Sequence, residues 1–405
     1  MGSEKRYFGT DVYQEAKARI RLAFENFDKV CVSFSGGKDS TVLTHLTLEV
    51  ARELGRVPVD VLFIDLEGQY AATIEHVHEV MAMPEVRPHW ICLPLNLRNA
   101  SSATHPYWTC WDPDARDRWI RPLPDAPGVV SDPAEFPWFR AGMEFEQFVP
   151  LFNEHVAGGG SVACLVGIRS DESLNRWKAV KKQDKVKKCA WNGVQWSARS
   201  HARSRAVSFF SIYDWRFEDL WKYVGTRRLS YNRLYDLMYL TGMPFSEMRI
   251  CQPYGDDQRK GLDLFHKIEP ETWAKIVERV EGANFAAYYA GQKFLGYQGG
   301  TGLPPAFSSW RQYCDFLVQT LPEGLRSVYH RRIAVFQGWW AKNGCALEAW
   351  PDAGEPALEN RKMVPSWRRV AISLLKQDLG KSLSFGFAQE DVDRVRALKE
   401  KAAAL

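Results

Sequence analysis

The chain has 405 residues, 45% of them hydrophobic and 25% charged, and a formal net charge of +4. These proportions exclude wholesale disorder and predict a soluble protein of two domains, or of one large domain with an appendage. So small a charge singles out neither nucleic acid nor membrane as a partner, and no apolar run approaches the ~18 residues needed to span a bilayer.

The eight cysteines are scattered without a Cys-x-x-Cys pair. That excludes a compact disulfide scaffold and makes zinc and iron–sulfur clusters unexpected. Cys31, Cys92 and Cys164 lie in apolar runs, where buried free thiols are expected. The opening residues carry no signal-peptide pattern, so a cytoplasmic location is expected.

In chain order, Val12, Ala16, Ile20, Ala23 and Phe27 recur at helical spacing over residues 11–27. A buried strand follows at 30–34, then a helix at 39–54, a strand at 59–64, a helix at 70–81 and a strand at 89–94. Residues 99–142 are rich in Pro, Asp, Trp and Arg and lack periodicity; loops this long are usually functional or disordered. A helix is predicted at 143–156 and a fourth strand at 161–167. Unbroken apolar strands separated by helix-length segments predict parallel pairing with both sheet faces covered. The expected fold class is α/β, a doubly wound, mainly parallel sheet over residues 1–225. Beyond a boundary near Gly225, helical patterns at 231–240, 270–281, 310–320, 325–342, 366–378 and 389–403 predict a mostly α-helical region, 226–405.

The chemistry is concentrated where the first strand runs into Ser35-Gly36-Gly37-Lys38-Asp39-Ser40 and a helix starts at once. Paired glycines let the backbone curl so that several N–H groups point to one spot, and the helix adds free amides and a positive dipole end. Lys38 supplies a point charge; Ser35 and Ser40 supply hydroxyls. This is a pocket for an anion the size of pyrophosphate. Asp39 is unwelcome there unless it holds Mg2+ or caps the helix, and either role suits its position. The glycine spacing is not that of a Walker A loop.

The string resembles the PP-loop of the N-type ATP pyrophosphatase superfamily, whose members bind ATP on such a loop and release pyrophosphate, or bind an adenylylated sulfate. Val61-Leu62-Phe63-Ile64-Asp65 is similar to the second strand of phosphoadenosine-phosphosulfate reductases, and Gly167-Ile168-Arg169-Ser170-Asp171-Glu172-Ser173, with Arg176 following, to their Gly-x-Arg-x-x-Glu-Ser motif. Ile212, Trp215, Asp219 and Trp221 match a further segment, so the resemblance covers residues ~28–225. Residues 231–238 and 248–261 resemble a narrower group of reductase-like proteins, typified by the immunoglobulin-binding regulator A (IbrA), that occur beside a ParB-like partner. The resemblance implies an adenine nucleotide alpha hydrolase-like fold, ATP and Mg2+ as cofactors, and a role in transcription regulation or phage defence. True reductases use a cysteine in a C-terminal Glu-Cys-Gly-x-His motif, whereas Cys345 here sits in Asn343-Gly344-Cys345-Ala346. ATP cleavage at the α/β bond is therefore expected, with Lys38, Asp39 and Arg169 as catalytic residues. A nucleotide-sensing subunit with little turnover and sulfonucleotide reduction are the alternatives.

Other candidates carry two readings each. Arg169 ends the fourth strand, where open α/β sheets place ligands, and its guanidinium suits a phosphate. Glu172 and Arg176 either contact nucleotide or pair with each other along a helix. Asp65 ends the second strand within reach of a ribose or a metal, with Glu67 a weaker candidate. In the 255–261 stretch, Asp256 or Asp257 would sit on Mg2+ and Arg259 or Lys260 on phosphate, unless it is a surface turn. The basic run 178–205, with Trp191 and Trp196, offers charge and stacking to nucleic acid, or is a solvated loop over a polyanionic nucleotide. Cys110, near Arg116, Arg118 and Arg121, is a reactive thiol or a structural one. His76 and His78 do not share a helix face, so no metal site is expected from them.

Overall fold

The structure is a computed structural model that describes residues 9–99, 107–172, 176–177, 180, 190–199, 204–250, 262–280, 283, 302–304, 306–321, 323–360 and 363–375. The chain forms two compact units, Met1–Asn99 with Tyr107–Val280 and Ala100–Pro106 with Glu281–Leu405. The expected boundary near Gly225 is thus displaced to Val280. The reason is that the segment after 225 binds back onto the sheet domain, as the contacts of Asn232 and Tyr235 below make plain.

The strands of the first unit are β1 Lys29–Ser33, β2 Val59–Ile64, β3 Val86–Ile91, β4 Asn96–Arg98, β5 Tyr107–Thr109, β6 Val129–Val130, β7 Val162–Val166, β8 Ser197–Arg199 and β9 Ala206–Phe209. Seven of them form one sheet in the order β6-β3-β2-β1-β7-β9-β8. Every pairing in it is parallel except β8 with β9. The expected doubly wound α/β class is the observed one. All six residues of β2 are buried, as a strand covered on both faces requires. The strand order runs outward in opposite directions from the β1–β7 pair, so the carboxyl ends of these two strands form a topological switch point.

Helix α1 Val12–Asn26 opens with the Asp11 carboxylate accepting from the Gln14 amide at 2.8 Å, and it buries Ala16, Ile20, Ala23 and Phe24. Helix α2 Lys38–Glu53 buries Val42, Leu43, Leu46 and Val50. Helix α3 spans Ala71–Met81. Helix α4 Phe145–Ala157 starts with a Glu144/Gln147 capping box and ends at Gly158, whose φ of +58° suits glycine. It buries Phe148 and Phe152 completely, each stabilising the unit by about 1.5–3 kcal/mol. The expected third strand starts earlier than 89, because Val86-Arg87-Pro88 pairs with Val59-Asp60-Val61. The irregular 99–142 stretch contributes the short edge strand β6, and the edge hairpin β8–β9 adds a segment that local patterning did not mark.

The second unit is built around an aromatic cluster that includes Trp310, Tyr329, Phe336, Trp340, Trp350 and Trp367, with Val370 and Leu374. The helix Trp310–Thr320 receives a cap from Asp352, whose carboxylate accepts from the amides of Trp310 and Arg311 at 2.9 and 3.0 Å. The predicted helix at 389–403 lies outside the described residues.

Candidate functional site

The 35–40 loop joins β1 to α2 at the switch point. Gly36 has φ +73°, and a Cβ there would lie 2.9 Å from the Thr73 methyl, so conformation and space both demand glycine. Gly37 is the N-cap of α2. The Ser40 hydroxyl shapes the turn: it accepts from the Ser35 amide at 3.1 Å and donates to the Gly37 carbonyl at 3.0 Å. Thr41 also donates to Gly37 O, at 2.9 Å, and its hydroxyl meets His76 Nε2 at 2.9 Å. Burial holds the His76 pKa below its ordinary value, so the ring is neutral behind the loop.

The residue after β7 is Gly167. A Cβ on it would stand 3.1 Å from the Asp39 carbonyl carbon and 3.1 Å from the Ser40 amide nitrogen, so the end of β7 rests directly on the start of α2. This packing delivers Arg169, 3% exposed, to the loop. Its Nε donates to Asp39 Oδ1, and its Nη1 is buried with no hydrogen-bond partner among the described residues. Lys38 Nζ lies 3.3 Å from Asp39 Oδ2 and donates to the Met248 carbonyl at 3.3 Å. Asp39 thus faces two cations, and Arg169 Nη1 also lies 3.9 Å from the exposed Asp171 carboxylate. Of the two roles expected for Asp39, no cap is formed: its side chain does not bond an orphan amide of α2.

Two further residues belong to the loop and carried no site signal in the sequence. Asn232, 1% exposed, donates from Nδ2 to Gly36 O and to Thr73 Oγ1, both at 2.9 Å, and its Oδ1 accepts from the Leu234 amide. The Tyr235 hydroxyl accepts from the Lys38 amide at 3.0 Å. They lie 196 and 197 positions from Gly36 and Lys38, and nothing local marks them; only their place in a segment resembling known proteins singled them out.

Beside the loop opens a cavity of about 550 Å³, lined by Ser33 and Ser35, by Leu62 and Ile64 of β2, and by Gln69, Arg98, Glu144, Arg176 and Ile250 among others. Polar groups of both signs around an apolar floor suit a nucleoside. Arg176 borders this cavity and lies 3.6 Å from Glu172, so the two residues pair with each other.

Asp65 and Glu67 turn out otherwise. Asp65 Oδ2 accepts from Trp90 Nε1 at 2.8 Å, and Oδ1 accepts from the Glu67 amide and pairs with Arg121. Glu67 accepts from the amides of Trp111 and Ile120 and from Arg279. Both carboxylates are fully buried and occupied, tying the 107–121 stretch to the end of β2. Cys110 is buried, its thiol donating to the Leu93 carbonyl, and burial pushes its pKa far up despite Arg279 nearby. It is the structural thiol. Trp191 packs on Phe27 and Trp196 on Phe209, so neither ring is arranged as a free platform for bases. Of the basic run, Lys178, Lys181, Lys182, Lys185, Lys187, Lys188 and Arg203 lie outside the described residues, as do Asp256, Asp257, Arg259 and Lys260. Among the described residues there is no cluster of metal-ligating side chains, and no helix is long and apolar enough to cross a membrane.

Comparison with known proteins agrees with this layout. Residues 29–96 and 139–241 match the phosphoadenosine phosphosulfate reductase domain, and residues 242–351 match a domain of unknown function, DUF3440. The uncharacterized protein YbdN of Escherichia coli (strain K12) is 36% identical over 379 residues, covering 93% of this chain and 90% of YbdN. Among solved structures, the phosphoadenylyl-sulfate reductase of Candida auris, in a phosphate complex, is 14% identical with a TM-score of 0.31, covering 58% of this chain and 94% of that one. FMN adenylyltransferase of Candida glabrata is 15% identical with a TM-score of 0.31, covering 55% and 57%. Superpositions this loose bear on neither fold nor chemistry. The sequence matches do: the chain belongs to the family of YbdN, and its sheet unit is similar to the phosphoadenosine phosphosulfate reductase domain.

Proposed function

We propose that the protein is an ATP-binding enzyme that cleaves ATP between its α- and β-phosphates and passes the adenylyl group to an acceptor. The observation that carries this reading is the meeting, at one switch point, of the loop amides at the start of α2 with Lys38 and the underpartnered Arg169. A nucleophilic oxygen of the acceptor attacks the α-phosphorus. The bond from phosphorus to the bridging oxygen breaks, and pyrophosphate departs with the electron pair. Lys38, Arg169 and the amides offset the charge gathering on it, while Asp39 orients Arg169. The two Asp39 oxygens already face Arg169 and Lys38, so the described residues do not compose a resident magnesium site. Magnesium would enter with the nucleotide, where it screens phosphate charge.

The resemblance of 231–238 and 248–261 to IbrA-type proteins supports work beside a ParB-like partner, in gene regulation or defence. A sensing role with slow turnover is favoured by one observation: both the amide and the ammonium of Lys38 are held by the chain's own groups. Burial raises the thiol pKa of Cys31, Cys92, Cys110, Cys164 and Cys314, so none of these five offers a ready thiolate; sulfonucleotide reduction stays the alternative, and would need Cys345, which is partly exposed, or Cys189 or Cys251, which lie outside the described residues.

Incubation with α-labelled ATP, with and without the partner, tests the reading. Labelled AMP or adenylylated acceptor is expected, reduced about 100-fold in Lys38→Ala, the scale of removing a transition-state donor. A Lys38→Ala protein as active as its parent overturns the proposal. Tight binding without product selects the sensor, and sulfite release from the phosphosulfate donor selects reduction.

A further inference from the structure

We infer that the Tyr235 hydroxyl holds the place of a phosphate oxygen in the 35–40 loop and has to leave before a nucleotide's phosphates can seat there. The inference rests on the reading of this loop as a phosphate site and adds a residue to it. The first amides of a helix have no intrahelical partner, and these are the donors that bind anions. Lys38 opens α2, so its N–H is one of them. In the protein that N–H is bonded, at 3.0 Å, to the Tyr235 hydroxyl oxygen. An amide has a single hydrogen, so a phosphate oxygen at full hydrogen-bond strength and the tyrosine oxygen exclude each other there.

Tyr235 is not a side chain that has wandered into the loop. It is 4% exposed, sits in the helix Leu234–Leu240, and packs edge-on against Trp221 with ring centroids 5.5 Å apart. The same ring lies 5.4 Å from Lys38 Nζ, which also donates to the Met248 carbonyl. One segment therefore engages both the amide and the ammonium of the loop lysine. An independent observation favours an anion there: Arg169, which pairs with Asp39 of the same loop, has a buried Nη1 that makes no hydrogen bond among the described residues, the exposed Asp171 carboxylate being 3.9 Å away. Asn232 pins Gly36 and Thr73 without help from Tyr235, so removing the hydroxyl alone leaves the loop's backbone support in place.

The test is calorimetric titration of the intact protein with inorganic pyrophosphate and with ATP, comparing the parent with Tyr235→Phe, which keeps the ring and removes the oxygen. Tyr235→Phe is expected to bind pyrophosphate about two- to tenfold tighter, the range set by the net worth of one neutral hydrogen bond, and its Lys38 amide is expected to exchange hydrogen faster before ligand is added. Equal affinity overturns the inference; weaker affinity does so too, by making Tyr235 a phosphate contact. If neither protein binds pyrophosphate or ATP, the nucleotide reading itself fails, a distinct result. Should Tyr235→Phe not fold, 3-fluorotyrosine at position 235 gives a second readout. Its fluorine resonance is expected to move as pyrophosphate binds, and a resonance unmoved at saturation overturns the inference.

Discussion

Two clusters of charge stand at the carboxyl edge of one sheet, and the burial of their carboxylates differs. At Asp65 and Glu67, two carboxylates meet two guanidiniums, Arg121 and Arg279, and further bonds come from Trp90 and from the main chain. At the 35–40 loop the Asp39 carboxylate faces Lys38 and Arg169, and the exposed Asp171 carboxylate stands 3.9 Å from Arg169 Nη1. Buried charge persists when it is paired and hydrogen-bonded. In the first cluster both carboxylates are wholly buried and bonded by side chains and main chain, whereas in the second Arg169 Nη1 makes no hydrogen bond among the described residues and has the exposed Asp171 carboxylate 3.9 Å away. A strand-end position does not by itself mark a ligand site: Asp65 and Arg169 share that position, and Asp65 is taken up by Trp90, Arg121 and the Glu67 amide.

The largest effect is expected from breaking the closed cluster. Arg279→Ala removes one cation from the fully buried Glu67 and is expected to cost about 3–5 kcal/mol, read as a lower denaturation midpoint at unchanged slope. A loss below about 1 kcal/mol would mean that main-chain amides alone satisfy Glu67.

Gly167→Ala probes the other cluster with one methyl. It presses on the main chain of Asp39 and Ser40, which cannot yield as a flexible side chain would, and is expected to cost about 2 kcal/mol and to weaken pyrophosphate binding. Unchanged affinity with lowered stability would detach Arg169 from the site.

Acid sharpens the contrast with a smaller effect, through His45 in α2. Burial, aided by His76 and Arg52, pushes its pKa from 6.5 to about 4. The folded protein keeps His45 neutral while the unfolded chain takes up a proton. The stability it contributes is therefore complete above pH 6.5 and lost as pH falls from 6.5 towards 4. About 1–2 kcal/mol is expected once partial exposure is discounted, and His45→Gln should flatten the pH dependence of the midpoint over that window. An unaltered slope in the variant would assign the acid sensitivity to other groups.

The parts of this site legible in the sequence are those that local pattern determines. The apolar runs of β1, β2 and β7 predict buried parallel strands, and Gly36-Gly37 between a strand and a helix predicts the anion-binding curl. Arg169 follows from its position at the end of a strand. What local pattern does not carry is partnership across the fold. Asp65 becomes structural because Arg121 reaches it from the irregular 107–121 stretch, and Glu67 because Arg279 does so from 212 positions away. Asn232 and Tyr235 lie beyond the boundary expected at Gly225, and as a neutral amide and an aromatic ring they lack the charge or motif that would mark a ligand site. The change from sheet to helix near Gly225 is real in the patterning, but secondary-structure content and domain membership are separate properties. The helix Leu234–Leu240 belongs to the sheet unit because of what it touches.

The contact at Gly167 has a kinematic consequence. Main chain rests on main chain there, with no side chain between to act as a compliant layer. A tilt or slide of the first turn of α2 is transmitted undamped to the segment bearing Arg169, so the loop amides and the guanidinium shift together, as one frame.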